Sequence, residues 1–145
     1  MRPQSARVAI DLETTGLHPE VDAVIEIGAV KFIGREVVET FASFVSPGIP
    51  LPFRVQRLTG ITPRELRNAP TLTMLAPRLR AFLGDAPLVG HSVPFDAAFL
   101  RRIGLATRNP LIDTFELASM LLPNLPSYTL ASVGKALNVQ ATTYH

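Results

Sequence analysis

The stretch Val8-Ala9-Ile10-Asp11-Leu12-Glu13-Thr14-Thr15-Gly16 decides the fold of this chain. Its first three residues form an apolar run of the kind that occupies a short buried β-strand. Because alternate residues of a strand point to the same side, Asp11 and Glu13 project together, about 6.6 Å apart along the strand. Two carboxylates at the end of a core strand are costly to bury unless a positive charge lies between them. Their oxygen atoms favour Mg²⁺ or Mn²⁺, so the stretch predicts one wall of a metal site.

The composition indicates a single globular domain over residues 1–145. Hydrophobic residues make up 47% of the chain and charged residues 18%, a balance that allows a core and excludes the disordered class. No cysteine is present, which excludes disulfides, thiolate catalysis and zinc sites built on cysteine. No apolar run approaches the roughly 20 residues of a membrane span, and the first seven residues do not resemble a signal peptide. We therefore expect a cytoplasmic protein without a membrane partner.

The basic residues are almost all arginine. Twelve of the fourteen are arginines, and the net charge is +2 with an isoelectric point near 9.5. Arginine matches the geometry of a phosphate group, so neighbouring arginines could line a nucleic-acid path. The neighbouring pairs are Arg54/Arg57, Arg64/Arg67, Arg78/Arg80 and Arg101/Arg102. For any single pair a solvated surface is the simpler interpretation, so the arginines alone do not identify a nucleic-acid enzyme.

Apolar patterns predict strands in the first half of the chain and helices that alternate with short strands in the second half. The expected strands lie at residues 8–10, 24–32, 37–45, 87–91 and 111–112. The expected helices begin with the capping box at 62–65 and continue at 72–83, after 94, at 113–122 and at 130–137. Pro77 is expected to kink the second of these helices or to delay its start, and residues 46–52 are expected to form a surface loop. This order predicts an α/β fold built on a mixed sheet.

A second informative stretch is Gly90-His91-Ser92-Val93-Pro94-Phe95-Asp96. Asp96 falls in the first turn of a predicted helix, where the helix dipole favours an ionised carboxylate. The small polar side chain of Ser92 is expected to cap that helix. An ionised Asp96 would be well placed to join Asp11 and Glu13 around a metal, although on its own an ordinary first-turn residue is the simpler interpretation.

Four motifs occur in a fixed order along the chain: DLETTG at 11–16, IEIGAV at 25–30, TGIT at 59–62 and GHSxxFD at 90–96. With this combination the chain resembles the DEDDh exonucleases, the DnaQ-like family that includes the proofreading epsilon subunit of bacterial DNA polymerase III. The resemblance extends from Val8 to His145. It implies a ribonuclease H-like fold with a five-stranded mixed sheet flanked by helices. It also implies hydrolysis of DNA, or of RNA, from the 3′ end to nucleoside 5′-monophosphates.

The resemblance further implies roles for individual residues around two metal ions, Mg²⁺ or Mn²⁺. Asp11 would bridge both ions, Glu13 would bind the ion that carries the attacking water, and Asp96 would help to hold the other ion. His145 would remove the proton of that water. The residues expected to contact the terminal nucleotide are Thr14, Thr15, Gly16, Leu17 and Phe95.

The same resemblance places the last metal-binding aspartate of the family a few residues beyond His145. We therefore expect the 145 residues to be a fragment that stops inside the third motif and lacks the C-terminal helix. Such a fragment is expected to bind the second metal poorly and to hydrolyse DNA slowly or not at all.

Two functions remain open from the sequence. The first is a 3′→5′ exonuclease domain for proofreading or repair, which acts on DNA 3′ ends and works with a DNA polymerase or a fused helicase or nuclease domain. The second is a non-catalytic module of the same fold that binds nucleic acid or a polymerase, and the three costly carboxylates argue against it. A P-loop phosphotransferase is excluded because no Gly-x-x-x-x-Gly-Lys segment is present.

Four other polar residues are expected to be structural. We expect His18 to be solvated in its loop, His91 to brace the turn before the helix, and Asp113 to cap a helix. For Glu26, which lies among apolar strand residues, a structural hydrogen bond is favoured over a catalytic role.

Overall fold

The strand that carries Asp11 and Glu13 lies in the middle of a five-stranded sheet. The computed structural model describes residues 4–140, in which the strand order is β3-β2-β1-β4-β5. The strands are β1 (Arg7–Thr14), β2 (Val24–Ile33), β3 (Glu36–Phe44), β4 (Leu88–Gly90) and β5 (Leu111–Asp113). β2 pairs antiparallel with both β1 and β3, whereas β1, β4 and β5 are parallel. The predicted mixed sheet is confirmed.

Six helices flank this sheet within the described residues. They are α1 (Phe53–Thr59), α2 (Pro63–Leu66), α3 (Leu72–Leu83), α4 (Val93–Arg102), α5 (Thr114–Leu121) and α6 (Leu130–Ala136). In the described part of the chain no helix is long and apolar enough to cross a bilayer. The predicted helices are confirmed to within a few residues, and that the domain comprises residues 1–145 stays a prediction.

β1 separates the core from the polar side of the sheet by simple alternation. Val8, Ile10 and Leu12 are buried against the helices, whereas Asp11 is exposed and Glu13 is half-buried on the opposite side. The strand is longer than the apolar run that predicted it, because its polar end pairs with β2 as far as Thr14. The same alternation therefore builds the core and presents the two carboxylates.

α3 and α4 cover the apolar side of the sheet. Leu79 of α3 and Leu100 of α4 are fully buried and belong to one core cluster with Val8 and Leu88. Pro77 lies inside α3, which begins at Leu72, so the proline does not delay the start of the helix. The N-terminus of α3 is capped by the Thr71 side chain, which accepts a hydrogen bond from the Met74 N–H.

A smaller cluster fixes the segment between β3 and α3. Ile25 of β2 packs there with Ile61 and Leu66. The predicted capping box is confirmed, because Thr62 N–H donates to the Glu65 carboxylate at 2.8 Å. α1 was not predicted, and it begins directly after the loop expected at 46–52.

Candidate active site

Asp11, Glu13 and Asp96 line one cavity on the polar side of the sheet. The cavity has a volume of about 970 Å³. Its floor includes Gly28 of β2 and Ala42 of β3, and its walls come from the start of α4 and the start of α6. The structure thus brings together the three carboxylates that the sequence predicts as metal ligands.

Asp96 is held against β1 by a specific hydrogen bond. The residue is 4% exposed, and its Oδ1 atom accepts a hydrogen bond of 2.9 Å from the backbone N–H of Leu12. Leu12 lies between Asp11 and Glu13, so this bond fastens the first turn of α4 to the strand that carries the other two carboxylates.

The surroundings of Asp96 raise its pKa to about 7 from an ordinary value of 3.8. Burial is the largest cause, the Leu12 N–H bond acts in the opposite direction, and the negative charges of Asp11 and Glu13 add to the increase. The expectation that the helix dipole keeps Asp96 ionised was wrong, because loss of water outweighs the dipole at a residue so deeply buried. The raised pKa also shows that the three carboxylates lie within electrostatic range of one another.

The chemistry of these donors fits a divalent cation. A buried carboxyl group that feels two neighbouring negative charges becomes more stable in its ionised form when a cation lies beside it. Within residues 4–140, however, no group of three or more His, Cys, Asp or Glu side chains forms a ready metal cluster. His145, the predicted general base, lies outside the described residues.

The loop after β1 is organised around Asp22. The Asp22 carboxylate accepts hydrogen bonds from the His18 N–H at 2.9 Å and from the Thr15 hydroxyl at 3.2 Å. The Thr15 hydroxyl accepts from the Ala23 N–H at 2.9 Å, and the Thr15 N–H donates to the Ala23 carbonyl. Thr15 is buried, so its side chain has a structural role, and its contact with a substrate stays a prediction.

The other residues predicted to contact a nucleotide differ in their exposure. Leu17 is 75% exposed at the tip of the loop. Thr14 donates a hydrogen bond to the Gly16 carbonyl at 2.7 Å, and a Cβ at Gly16 would overlap the Asp22 carboxylate, so a larger residue there would displace the Asp22 side chain. Phe95 lines the cavity and is half-buried against Phe99.

The turn that leads into α4 is braced from two sides. His91 contacts the Thr114 hydroxyl through Nδ1 at 2.9 Å and the Tyr128 carbonyl through Nε2 at 2.6 Å. The bracing role of His91 is confirmed, although no local pattern in the sequence indicated its two partners. These contacts connect the site to the starts of α5 and α6.

Ser92 differs from its prediction. The residue has a φ of 59°, in the left-handed region, and its side chain does not cap the helix. Its backbone N–H instead donates to the Asp113 carboxylate at 2.8 Å, and the same oxygen accepts from the Phe115 N–H at 3.0 Å. Asp113 therefore caps α5 as predicted and also fixes the turn before α4.

Glu26 lies directly opposite Glu13 in the antiparallel pair of β1 and β2. Like charges in such positions repel each other. We expected Glu26 to make a structural hydrogen bond. Its position opposite Glu13 makes it a fourth carboxylate at the edge of the candidate site.

The model of the exonuclease family (RNase_T) matches residues 8–145 of this chain. The DNA polymerase III PolC-type of Clostridium perfringens is 36% identical over 142 residues, which are 95% of this chain and 10% of that protein. The same protein of Bacillus cereus is 39% identical over 143 residues, again 95% of this chain and 10% of that protein. The chain spans about a tenth of the length of the curated relatives that it matches.

Solved structures show the same fold. Exonuclease X in complex with a 5′-overhanging duplex DNA superposes with a TM-score of 0.77 at 24% identity, over 94% of this chain and 76% of that chain. E. coli exonuclease I in complex with a 5cy-dT13 oligonucleotide superposes with a TM-score of 0.79 at 23% identity, over 96% of this chain and 37% of that chain. These likenesses confirm the predicted ribonuclease H-like fold. The chain belongs to the exonuclease family, as its resemblance to the DnaQ-like exonucleases predicted.

Proposed function

We propose that this chain is a metal-dependent 3′→5′ exonuclease domain that hydrolyses the terminal phosphodiester bond of DNA and releases nucleoside 5′-monophosphates. One observation carries the proposal. The buried Asp96 shares a cavity with Asp11 and Glu13 and is bonded to the strand between them. Membership of the exonuclease family supports the same reaction.

The proposed cofactor is a pair of divalent cations, Mg²⁺ or Mn²⁺, held by Asp11, Glu13 and Asp96. When bound, two such ions lower the pKa of an attacking water and stabilise the leaving 3′-oxygen. Carboxylate oxygens are the ligands that these hard cations prefer. The raised pKa of Asp96 supports the proposal, because a cation would offset the burial and repulsion that now favour the protonated form.

The protein's own groups would orient the substrate and move a proton. The Leu12 N–H holds one oxygen of Asp96, so this carboxylate presents its other oxygen in a defined direction. Leu17 at the loop tip and Phe95 in the cavity wall would contact the terminal nucleotide, and Thr14, Thr15 and Gly16 would contribute from the end of β1 and the loop that follows it. His145 would accept the proton of the attacking water.

A purely structural or binding module explains the site less well. Burying a carboxyl group beside two others costs stability, and no binding function of the fold requires that cost. The non-catalytic alternative is therefore disfavoured by Asp96 itself, which is 4% exposed.

The biological role that we propose is proofreading during DNA replication in the cytoplasm, in association with a DNA polymerase. The support comes from the relatives, which are DNA polymerases III of the PolC type. Repair and RNA substrates are the alternatives, and digestion of matched and mismatched 3′ ends, in DNA and in RNA, would distinguish them.

The proposal is tested with single-stranded DNA labelled at its 3′ end. With the enzyme in molar excess over the DNA, we expect labelled nucleoside 5′-monophosphate to be released when Mn²⁺ is added. No release is expected in EDTA. Asp11→Asn and Glu13→Gln should abolish the release, whereas Glu20→Gln, a change at an exposed acidic residue of the neighbouring loop, should not. Calorimetric titration with Mn²⁺ alone should give binding to the parent chain and weaker binding to Asp11→Asn.

Absence of both Mn²⁺ binding and nucleotide release would contradict the proposed function.

A further inference from the structure

Helix α1 presents an unusual exposed face. None of its seven residues is fully buried, and Phe53 and Leu58 are 72% and 70% exposed. Residues four apart lie on the same side of a helix, so Phe53 lies beside Arg57, and Arg54 lies beside Leu58. We call the surface formed by Phe53, Arg54, Arg57 and Leu58 the α1 face.

The opposite side of α1 attaches the helix to the domain. Val55 packs on the small cluster of Ile25, Ile61 and Leu66. Gln56 donates to the Leu51 carbonyl at 3.1 Å. The inner side of α1 is thus occupied by packing and hydrogen bonds, and the aromatic and basic side chains of the α1 face point away from them.

In the other two arginine pairs, three of the four arginines have partners within the described part of the domain, and Arg80 is the exception. Arg101 bonds to the Ala106 and Asn109 carbonyls, Arg102 bonds to the Pro19 carbonyl, and Arg78 stacks on the Phe41 ring at 4.7 Å. The four exposed arginines of α1 and of the α2 region have no such partner among the described residues; they are Arg54, Arg57, Arg64 and Arg67.

One acidic residue lies among these four arginines, and its single negative charge does not balance their four positive charges. It is Glu65, and its carboxylate accepts the hydrogen bond of the capping box. The surface from Phe53 to Arg67 therefore carries a net positive charge, with apolar side chains between the cations.

This surface lies at the end of the sheet where the carboxylates are. Ile25, which anchors α1 and α2, directly precedes Glu26, and Glu26 is the cross-strand partner of Glu13. A strand whose 3′ end enters the cavity can thus continue towards the α1 face. Guanidinium groups pair with phosphates, and exposed aromatic side chains stack on bases, which together suit a single strand.

We propose that the α1 face, assisted by Arg64 and Arg67, binds the single-stranded segment of nucleic acid that precedes the 3′-terminal nucleotide. This inference rests on the proposed function, because it takes the carboxylate cavity as the place of the 3′ end. Arg54 and Arg57 would contact phosphates, and Phe53 and Leu58 would contact bases. The surface would govern how strongly long substrates bind, and the chemistry at the carboxylates would be unchanged.

The test measures binding without hydrolysis. In an Asp11→Asn background, fluorescence anisotropy of a labelled dT12 oligonucleotide is followed over a series of salt concentrations. We expect Arg54→Gln/Arg57→Gln to weaken binding about tenfold and to reduce the salt slope by about 1.4, the loss of two phosphate contacts on a single strand. Phe53→Ser/Leu58→Ser should weaken binding several-fold and leave the salt slope unchanged.

A matched control has the same change in net charge. Arg35→Gln/Arg108→Gln removes two exposed arginines from the β2–β3 turn and from the loop before β5, away from the α1 face. This variant should bind dT12 like its parent, and thermal melts should show that all variants are folded. Binding of the dinucleotide dT2 should be the same in every variant, because dT2 does not reach α1.

Equal dT12 affinity in the parent and in both α1 variants would overturn the inference. The α1 face would then be interpreted as a surface for a protein partner. A loss of affinity as large in the Arg35/Arg108 control would overturn it too, since the effect would then come from net charge. Neither result depends on nucleotide release, so both differ from a failure of the proposed function, which is judged by Mn²⁺ binding and Mn²⁺-dependent hydrolysis.

Discussion

The carboxylate of Asp96 accepts a hydrogen bond from the backbone N–H of Leu12 at 2.9 Å, although 84 residues separate the two along the chain. The bond satisfies a strand N–H that would otherwise lack a partner in the core. It also places a third carboxylate beside Asp11 and Glu13. Stability and site geometry therefore depend on the same side chain, and substitution can separate the two.

Asp96→Asn should stabilise the metal-free protein above neutral pH. The amide oxygen can still accept the Leu12 N–H, while the buried charge is removed. Because folding raises the pKa of Asp96 from 3.8 to about 7, the folded protein retains a proton that the unfolded chain has released between these pH values. The parent's free energy of unfolding should therefore fall by on the order of a few kcal/mol as the pH rises from about 4 to about 7. Above about pH 7 the contribution of Asp96 should stay constant.

Urea denaturation in EDTA at pH 5 and pH 8 measures this effect. The difference between the Asn variant and the parent should be larger at pH 8 than at pH 5. The variant should nevertheless lose Mn²⁺-dependent nucleotide release. An Asn variant less stable than the parent at pH 8 would show that burial does not penalise this carboxylate.

His91→Ala should destabilise the domain by about 1–3 kcal/mol, because it removes the partners of the Thr114 hydroxyl and the Tyr128 carbonyl. The matched control is His18→Ala, at an exposed position, which should change stability by less than about 0.5 kcal/mol. Urea midpoints measured side by side decide the comparison. Equal effects of the two substitutions would contradict a bracing role for His91.

Asp22→Ala should loosen the loop between β1 and β2. It removes the acceptor of the His18 N–H and of the Thr15 hydroxyl, and we expect a loss of about 1–2 kcal/mol. Amide hydrogen exchange should become faster over residues 15–23 and stay unchanged in β4. Glu20→Ala in the same loop is the control. If exchange is unaltered in the Asp22 variant, the loop does not depend on this carboxylate.

Substitution by alanine should affect the stability of the domain differently at Gly28 and at Gly90. A Cβ at Gly28 meets nothing within 4 Å, whereas a Cβ at Gly90 would lie 2.9 Å from the Ile10 carbonyl oxygen. Gly28→Ala should therefore leave stability unchanged or raise it slightly, and Gly90→Ala should lower it by about 1–3 kcal/mol. Thermal melts of the two variants suffice, and a destabilised Gly28→Ala would contradict the open floor of the cavity.

The parts of the fold that depend on local pattern could be predicted from the sequence. Alternation along β1, the capping box of Thr62 and Glu65, and the helix cap of Asp113 each involve residues within a few positions of one another. The resemblance to a family then brought Asp96 to the candidate site, which spacing alone could not do.

The features that escaped prediction depend on distant partners. α1 lacks an apolar side of helical spacing, since Phe53 and Leu58 face solvent and Val55 is its one apolar residue that packs inward. The left-handed backbone of Ser92 depends on Asp113, and the raised pKa of Asp96 depends on burial by other elements. No local pattern contains these contacts.

The parallel pairing of β1 with β4 has a consequence for synthesis of the chain. Val8 pairs with Leu88, so one side of the central strand has no neighbour until 80 further residues have left the ribosome. Until then β1, which carries Asp11 and Glu13, can pair only with the β2–β3 hairpin, and Asp96 is not yet in place. In the proposed function, a chain in which β4 and α4 have not yet folded would therefore be unable to hydrolyse nucleic acid, and hydrolysis would report that these elements are in place.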